Sequence, residues 1–146
     1  MLTWNKLRTE LEGVRENIMP LRVVLAVLWT IMILVLCWTP QALLPVSEEQ
    51  DSLVQQFHLD KFVHAGTFTV FCVLWLRTRI ARRSWYVSVL LAGTALAALT
   101  ELVQNLPLIN REGELGDFIA DFAGLLLGFP LFRLIEQQLR SNSINK

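Results

Sequence analysis

The sequence predicts an all-α membrane protein: a bundle of four transmembrane helices with both termini in the cytoplasm, preceded by an amphipathic helix at the membrane interface. Three observations predict this fold. Of the 146 residues, 53% are hydrophobic, and the mean hydropathy of +0.45 exceeds that of water-soluble domains of this length. Four apolar segments are long enough to cross a bilayer. Most basic residues lie on one side of those segments.

The four predicted spans cover residues 21–39, 60–76, 85–106 and 117–135. A helix needs about 20 residues to cross the hydrocarbon core, and the shorter second span crosses if its flanking side chains lie at the interface. No internal repeat, low-complexity tract or long linker divides the chain, so residues 1–146 form one predicted domain. The 13 basic and 13 acidic residues cancel, which leaves no overall field that favours a nucleic acid partner.

The basic residues predict the orientation of the chain. Of the 13 Lys and Arg residues, only Lys61 and Arg111 fall on the outer side of the predicted spans. Cytoplasmic loops of membrane proteins carry an excess of Lys and Arg, so both termini and the loop after the second span are predicted to face the cytoplasm. The predicted location is therefore the cytoplasmic membrane. The basic residues on the predicted inner side are Lys6, Arg8, Arg15, Arg22, Arg77, Arg79, Arg82, Arg83, Arg133, Arg140 and Lys146.

The chain ahead of the first span places its apolar residues on one helical stripe. They recur every three or four residues, which is the period of an α-helix. A helix with one apolar face and a charged remainder is typical of segments that lie in the membrane interface. The residues of this stripe are Trp4, Leu7, Leu11, Val14 and Ile18.

The acidic residues and the histidine of the predicted spans all fall near the outer side of the membrane. Asp60, Lys61 and His64 begin the second span, and Glu101 lies near the outer end of the third. A charged residue within a span costs roughly 2.5 to 3.5 kcal/mol, so the convergence of several in one layer predicts a polar site. The candidate binding residues are Asp60, Lys61, His64, Glu101, Gln104, Arg111, Asp117 and Asp121.

A purely structural interpretation of the same residues stays open. Ion pairs of Lys61 with Glu101, or of Arg111 with Asp117, would neutralise one another and fix the packing of the helices. The GxxxG motif at residues 124–128 lies on the same face of the fourth helix as the carboxylates. Because small residues permit close helix approach, this motif predicts a tight contact with a neighbouring helix.

Two blocks of the chain match the pattern of a known family. They are Asp60-Lys61-x-x-His64 at the start of the second span, and Glu101-x-x-Gln104, Pro107, Arg111, Asp117, Asp121-x-x-Gly124 and Gly128 across the third and fourth. In these residues the chain resembles the VanZ-like family of small bacterial membrane proteins, although the family pattern more often has asparagine at the position of Asp121. The resemblance implies a cell-envelope protein of a family linked to tolerance of the glycopeptide teicoplanin, and it implies no defined biochemical activity.

The leading functional hypothesis is the binding of an anionic headgroup. Lys61, Arg111 and His64 would hold a phosphate of a membrane lipid or of a polyprenyl-linked envelope precursor. The N-termini of the second and fourth helices would add backbone N–H donors to the same anion. The carboxylates would orient the cations, and this hypothesis expects no cofactor and no metal.

Two alternative hypotheses concern other classes of protein. The first is a membrane enzyme that performs acid–base or metal-assisted transfer or hydrolysis on a lipid-linked phosphate or sugar. Its candidate catalytic residues are His64, Glu101 and Asp117, and its candidate metal ligands are His64, Glu101 and Asp121. The second is a structural or regulatory role, with an envelope enzyme or a second copy of the chain as partner.

Overall fold

The computed structural model describes residues 4–39, 59–79, 83–106 and 114–144, and the regular elements within these ranges are all helices. The prediction of an all-α protein is therefore confirmed. The helices are α1 (Trp4–Trp38), α2 (Leu59–Leu76), α3 (Arg83–Gln104) and α4 (Leu115–Ile144).

Three stretches of helix are long and apolar enough to cross a membrane, namely Met19–Trp38, Arg83–Gln104 and Leu115–Asn142. Many of their large apolar side chains face outward: Leu28, Leu91 and Leu127, for example, are each more than half exposed. Outward apolar side chains are expected where lipid rather than water surrounds a bundle. The apolar character of these three stretches therefore supports the prediction of a membrane protein.

Helix α2 is 18 residues long and begins with charged residues in its first turn. An 18-residue helix is about 27 Å long, which is slightly less than the hydrocarbon thickness of a typical bilayer. Its crossing of the membrane, and with it the predicted count of four spans, stays a prediction. The orientation of the termini stays a prediction as well.

Helix α1 differs from the sequence prediction because it is one continuous helix of 35 residues that contains Pro20. The predicted interfacial helix is therefore not a separate element of the structure. A proline removes one backbone N–H donor and strains the turn before it, but the hydrogen bonds on either side remain available to continue a helix. The position of residues 4–18 at the membrane interface stays a prediction.

The most extensive helix contact is between α2 and α4, and glycines make it possible. A Cβ atom at Gly124 would overlap the backbone of Ala65, and one at Gly128 would overlap the side chain of Cys72. The hydroxyl of Thr69 lies 3.0 Å from the carbonyl oxygen of Gly124, which adds a polar contact across the interface. The close packing predicted from the GxxxG motif is confirmed.

Helix α1 is attached to α2 through tryptophan and threonine side chains. The indole of Trp29 donates a hydrogen bond of 3.0 Å to the carbonyl of Thr67, and the indole of Trp75 donates one of 3.1 Å to the hydroxyl of Thr30. Between the helices lies an apolar core in which several side chains are almost completely buried. Its members include Ile33, Phe68, Phe71, Leu76 and Leu125.

The four helices alternate in direction, which separates the charges of the bundle into two ends. Helices α2 and α4 begin at the end where α1 and α3 finish, and we call this the polar end. At the opposite end, the arginine end, Arg22 donates a hydrogen bond of 3.3 Å to the carbonyl of Arg77. A cavity of about 460 Å³ opens there, and the basic residues that line it are Arg22, Arg77, Arg79, Arg133 and Arg140.

Candidate functional site

Within the part of the chain that the structure describes, seven ionisable side chains lie together at the polar end, and we call them the polar cluster. They come from the first turns of α2, the last turn of α3 and the start of α4. Six of them were predicted from the sequence to share one layer, although they are far apart along the chain. The members of the polar cluster are Asp60, Lys61, His64, Glu101, Glu114, Asp117 and Asp121.

Close packing of α4 on α2 brings the members of the cluster together. Because Gly124 lies against the backbone of Ala65, the preceding turn of α4 places Asp121 beside His64. Gly116 has a similar role about two turns before Gly124. A Cβ atom at Gly116 would lie 2.9 Å from the Cε atom of Lys61, so the glycine leaves room for the lysine side chain.

Lys61 is held by three carboxylates. Its Nζ atom donates to Oε2 of Glu114 at 2.9 Å and to Oδ1 of Asp117 at 3.1 Å. A longer contact of 3.4 Å joins it to Oδ2 of Asp60. The ammonium group has three N–H donors, so these contacts use its full donor capacity. The ion pair of Lys61 with Glu101 that the sequence suggested is not formed, because the ammonium group contacts Asp60, Glu114 and Asp117 instead.

His64 lies between two aspartates of α4. Its Nδ1 atom is 2.9 Å from Oδ1 of Asp121, and its Nε2 atom is 3.9 Å from Oδ2 of Asp117. The side chain of Asp121 is completely buried, with an exposed fraction of 0%. Its second oxygen, Oδ2, has no hydrogen-bond partner among the residues that the structure describes. The contact with His64 therefore satisfies only one half of this buried carboxylate.

Glu101 approaches the histidine from α3. Both of its carboxylate oxygens are buried, and within the described ranges neither has a hydrogen-bond partner. His64, Glu101 and Asp121 each present one potential metal-ligand atom, and these three atoms all lie within 4.8 Å of one another. Nitrogen and carboxylate oxygen donors in such a group suit both proton transfer and metal binding.

The described part of the polar cluster has an excess of negative charge. Five carboxylates face one lysine and one histidine. Lys61 offsets the carboxylates on its own side of the cluster. Among the described residues, the imidazole of His64 is the only potential cation beside Glu101 and Asp121. Carboxylates placed this close to one another are unfavourable in their ionised form unless a cation or shared protons balance them.

Gln104 and Arg111 complete the set of predicted binding residues. The amide of Gln104 is buried and donates a hydrogen bond of 3.3 Å to the carbonyl of Cys37, so it ties the end of α3 to the end of α1. That contact gives Gln104 a role in packing. Arg111 lies outside the described residues, and its predicted contribution to the site stays a prediction.

Glu114 is the one member of the polar cluster that the sequence analysis missed. It immediately precedes α4, and its backbone carbonyl accepts a hydrogen bond of 2.9 Å from the N–H of Asp117. The side chain then reaches Lys61 across the gap between the two helices. The sequence did contain a signal, because Glu114, Asp117 and Asp121 follow one another at spacings of three and four residues, which put them on one helical face.

Comparison with protein-family models, with curated proteins and with solved structures returned no match for this chain.

Proposed function

We propose that this chain is a VanZ-like protein of the cytoplasmic membrane whose polar cluster binds the headgroup of an anionic envelope lipid or lipid-linked precursor from the outer side. In this proposal the bundle has four spans, and both termini and the arginine end face the cytoplasm. The observation that carries it is the convergence of ionisable side chains from three helices at one end of an otherwise apolar bundle.

The composition of the polar cluster suits a headgroup that carries several kinds of polar group. Lys61 is the lysine of the site, and its side chain is 30% exposed, so a phosphate can approach it. Glu114, at 58% exposure, is its most accessible partner and the one that a phosphate would displace most easily. The buried carboxylates accept hydrogen bonds from the hydroxyl or amine groups that envelope precursors carry beside their phosphates.

Two further donors for the anion are supplied by the fold itself. The N-termini of α2 and α4 both lie at the polar end, where free backbone N–H groups and the helix dipole favour a negative charge. Arg111 is proposed to close the site from the loop between α3 and α4. Cationic side chains and helix N-termini would then contact the phosphate, while the carboxylates contact the remainder of the headgroup.

The proposal is tested by measuring lipid binding to purified protein with native mass spectrometry. A polyprenyl phosphate and a zwitterionic lipid of similar size serve as the two probes. We expect the anionic probe to bind more tightly, and we expect Lys61→Ala and Arg111→Ala each to weaken it by about tenfold, the effect of one lost charged hydrogen bond.

Arg79→Ala is the matched control, because it removes an exposed positive charge at the arginine end. It should leave the affinity for the anionic probe unchanged. Equal affinity of the wild-type protein, Lys61→Ala and Arg111→Ala for that probe would contradict the proposed function.

A second candidate function is acid–base or metal-assisted chemistry on a lipid-linked phosphate or sugar. The position of His64 between Asp117 and Asp121 favours it, because a carboxylate that orients an imidazole is the usual arrangement of a general base. The candidate catalytic residues are His64, Glu101 and Asp117. Product formation from a lipid-linked pyrophosphate would support this function, provided that His64→Gln abolishes it in a folded protein.

A further inference from the structure

We propose that His64, Glu101 and Asp121 bind a divalent cation. The three residues come from three different helices, and their potential ligand atoms lie within 4.8 Å of one another. Two ligands of one ion are separated by at most about twice the metal–ligand distance, roughly 4.2 Å for Zn²⁺ and 5 Å for Ca²⁺. The observed spacing therefore needs only small side-chain movements to close around an ion.

Unsatisfied buried oxygens supply an independent indication of a missing partner. Asp121 is completely buried, and its Oδ2 atom has no hydrogen-bond partner in the described part of the chain. Both carboxylate oxygens of Glu101 are buried and unpartnered in the same sense. Buried carboxylates without partners are rare in proteins because the lost hydration is not replaced. A cation between these oxygens would replace it.

A comparison within the polar cluster strengthens the inference. Asp60, Glu114 and Asp117 form a second group with similarly close ligand atoms, and that group already surrounds a cation, the ammonium of Lys61. The ligand atoms of His64, Glu101 and Asp121 are equally close together, but no lysine or arginine is among the described contacts of this group. One divalent ion would balance its two carboxylates while the imidazole remains neutral.

The donor set indicates the class of ion. An imidazole nitrogen together with two carboxylates suits Mn²⁺ or Zn²⁺, whereas Mg²⁺ and Ca²⁺ prefer sites made entirely of oxygen. The ion would lie within the proposed headgroup site and would offer it an additional positive charge. To that extent the inference rests on the proposed function, although the binding of metal is measured without any lipid.

The test uses the full chain, purified in detergent and freed of metal, and follows the loss of the free Mn²⁺ signal by electron paramagnetic resonance during titration. We expect about one Mn²⁺ per chain, displaceable by Zn²⁺. Asp121→Asn and Glu101→Gln should each weaken binding by about tenfold or more, because each replaces an anionic ligand by a neutral amide. Glu136→Gln is the matched change outside the polar cluster, because Glu136 contacts Arg77 at 3.4 Å at the arginine end. It should stay within about twofold of the wild-type affinity.

Thermal unfolding keeps the result interpretable if a variant folds poorly. Metal should raise the melting temperature of the wild-type protein and of Glu136→Gln, but not that of Asp121→Asn or Glu101→Gln. Absence of stoichiometric Mn²⁺ and Zn²⁺ binding by the folded wild-type protein would overturn the inference. Wild-type affinity in both Asp121→Asn and Glu101→Gln would overturn it too.

Lipid binding in the presence of a chelator separates this inference from the proposed function. Retained binding of the polyprenyl phosphate, together with no metal binding, would refute the cation site and leave the proposed function intact. Stoichiometric metal binding without any preference for the anionic lipid would support the cation site and refute the proposed function.

Discussion

The contact between α2 and α4 should be very sensitive to the size of residue 124, because this contact places Asp121 beside His64. A Cβ atom added at Gly124 would lie 2.9 Å from both the carbonyl carbon and the Cα atom of Ala65, and closer still to its carbonyl oxygen. These are backbone atoms of a helix and cannot rotate away. The two helices must therefore move apart, and we expect Gly124→Ala to lower the free energy of unfolding by about 3 kcal/mol, the upper part of the usual range for overpacking.

Gly66→Ala is the matched control for this prediction. Gly66 lies in α2, and a Cβ atom there would meet nothing within 4 Å. Since alanine favours the helical state over glycine by up to about 1 kcal/mol, this variant should be as stable as the wild-type protein or slightly more stable. Both variants are compared in mixed micelles by denaturant titration, with helix content followed by circular dichroism. Equal stability of Gly124→Ala and Gly66→Ala would refute the packing argument.

The remaining predictions concern the charged and polar contacts of the bundle. Lys61→Met should lower the free energy of unfolding by about 1 to 3 kcal/mol at neutral pH, because it leaves the largely buried Asp117 without its ammonium partner. Adding Asp117→Asn should restore part of that loss. Purely additive effects of the two substitutions would contradict the pairing. Gln104→Leu should lower the free energy of unfolding by about 1 kcal/mol in the same assay, since it removes the hydrogen bond to the carbonyl of Cys37. The affinity for the anionic lipid should stay unchanged. A loss of lipid affinity would instead place Gln104 in the binding site.

The helices and the clustering of charged residues at one end could be predicted because both depend on local features of the sequence. Apolar segments of membrane length mark the helices whatever their partners are, and the spacing of Asp117 and Asp121 fixes their common face. The motif at residues 124–128 predicted close packing because its two glycines leave space whichever helix lies opposite. Depth and helical face together indicated six of the seven side chains of the polar cluster.

The pairing of side chains within the polar cluster could not be predicted from local features of the sequence. Whether Lys61 meets Glu101 or Asp117 depends on the rotation of α4 against α2, which is decided by contacts such as that between Gly124 and Ala65. Glu114 was missed because it lies ahead of the predicted fourth span, and only the approach of the two helices brings it to Lys61.

Two further differences between the sequence predictions and the structure have similar causes. Gln104 was assigned to the site because it lies one turn from Glu101, but its amide is satisfied by the carbonyl of Cys37, a partner on a different helix. The interfacial helix was expected to be separate from the first span, whereas α1 continues through Pro20. A proline is a reliable indication of strain in a helix and a poorer indication that the helix ends.

The proposed orientation places the polar cluster on the outer side of the membrane and the arginine end on the cytoplasmic side. It is tested most directly by labelling single cysteines in intact cells with a membrane-impermeant thiol reagent, after Cys37 and Cys72 have been replaced by serine. Glu114→Cys and Arg79→Cys are the informative sites, since both side chains are exposed and lie at opposite ends of the bundle. We expect Glu114→Cys to be labelled in intact cells and Arg79→Cys only after permeabilisation. Labelling of Arg79→Cys alone in intact cells, or of both sites equally, would contradict it.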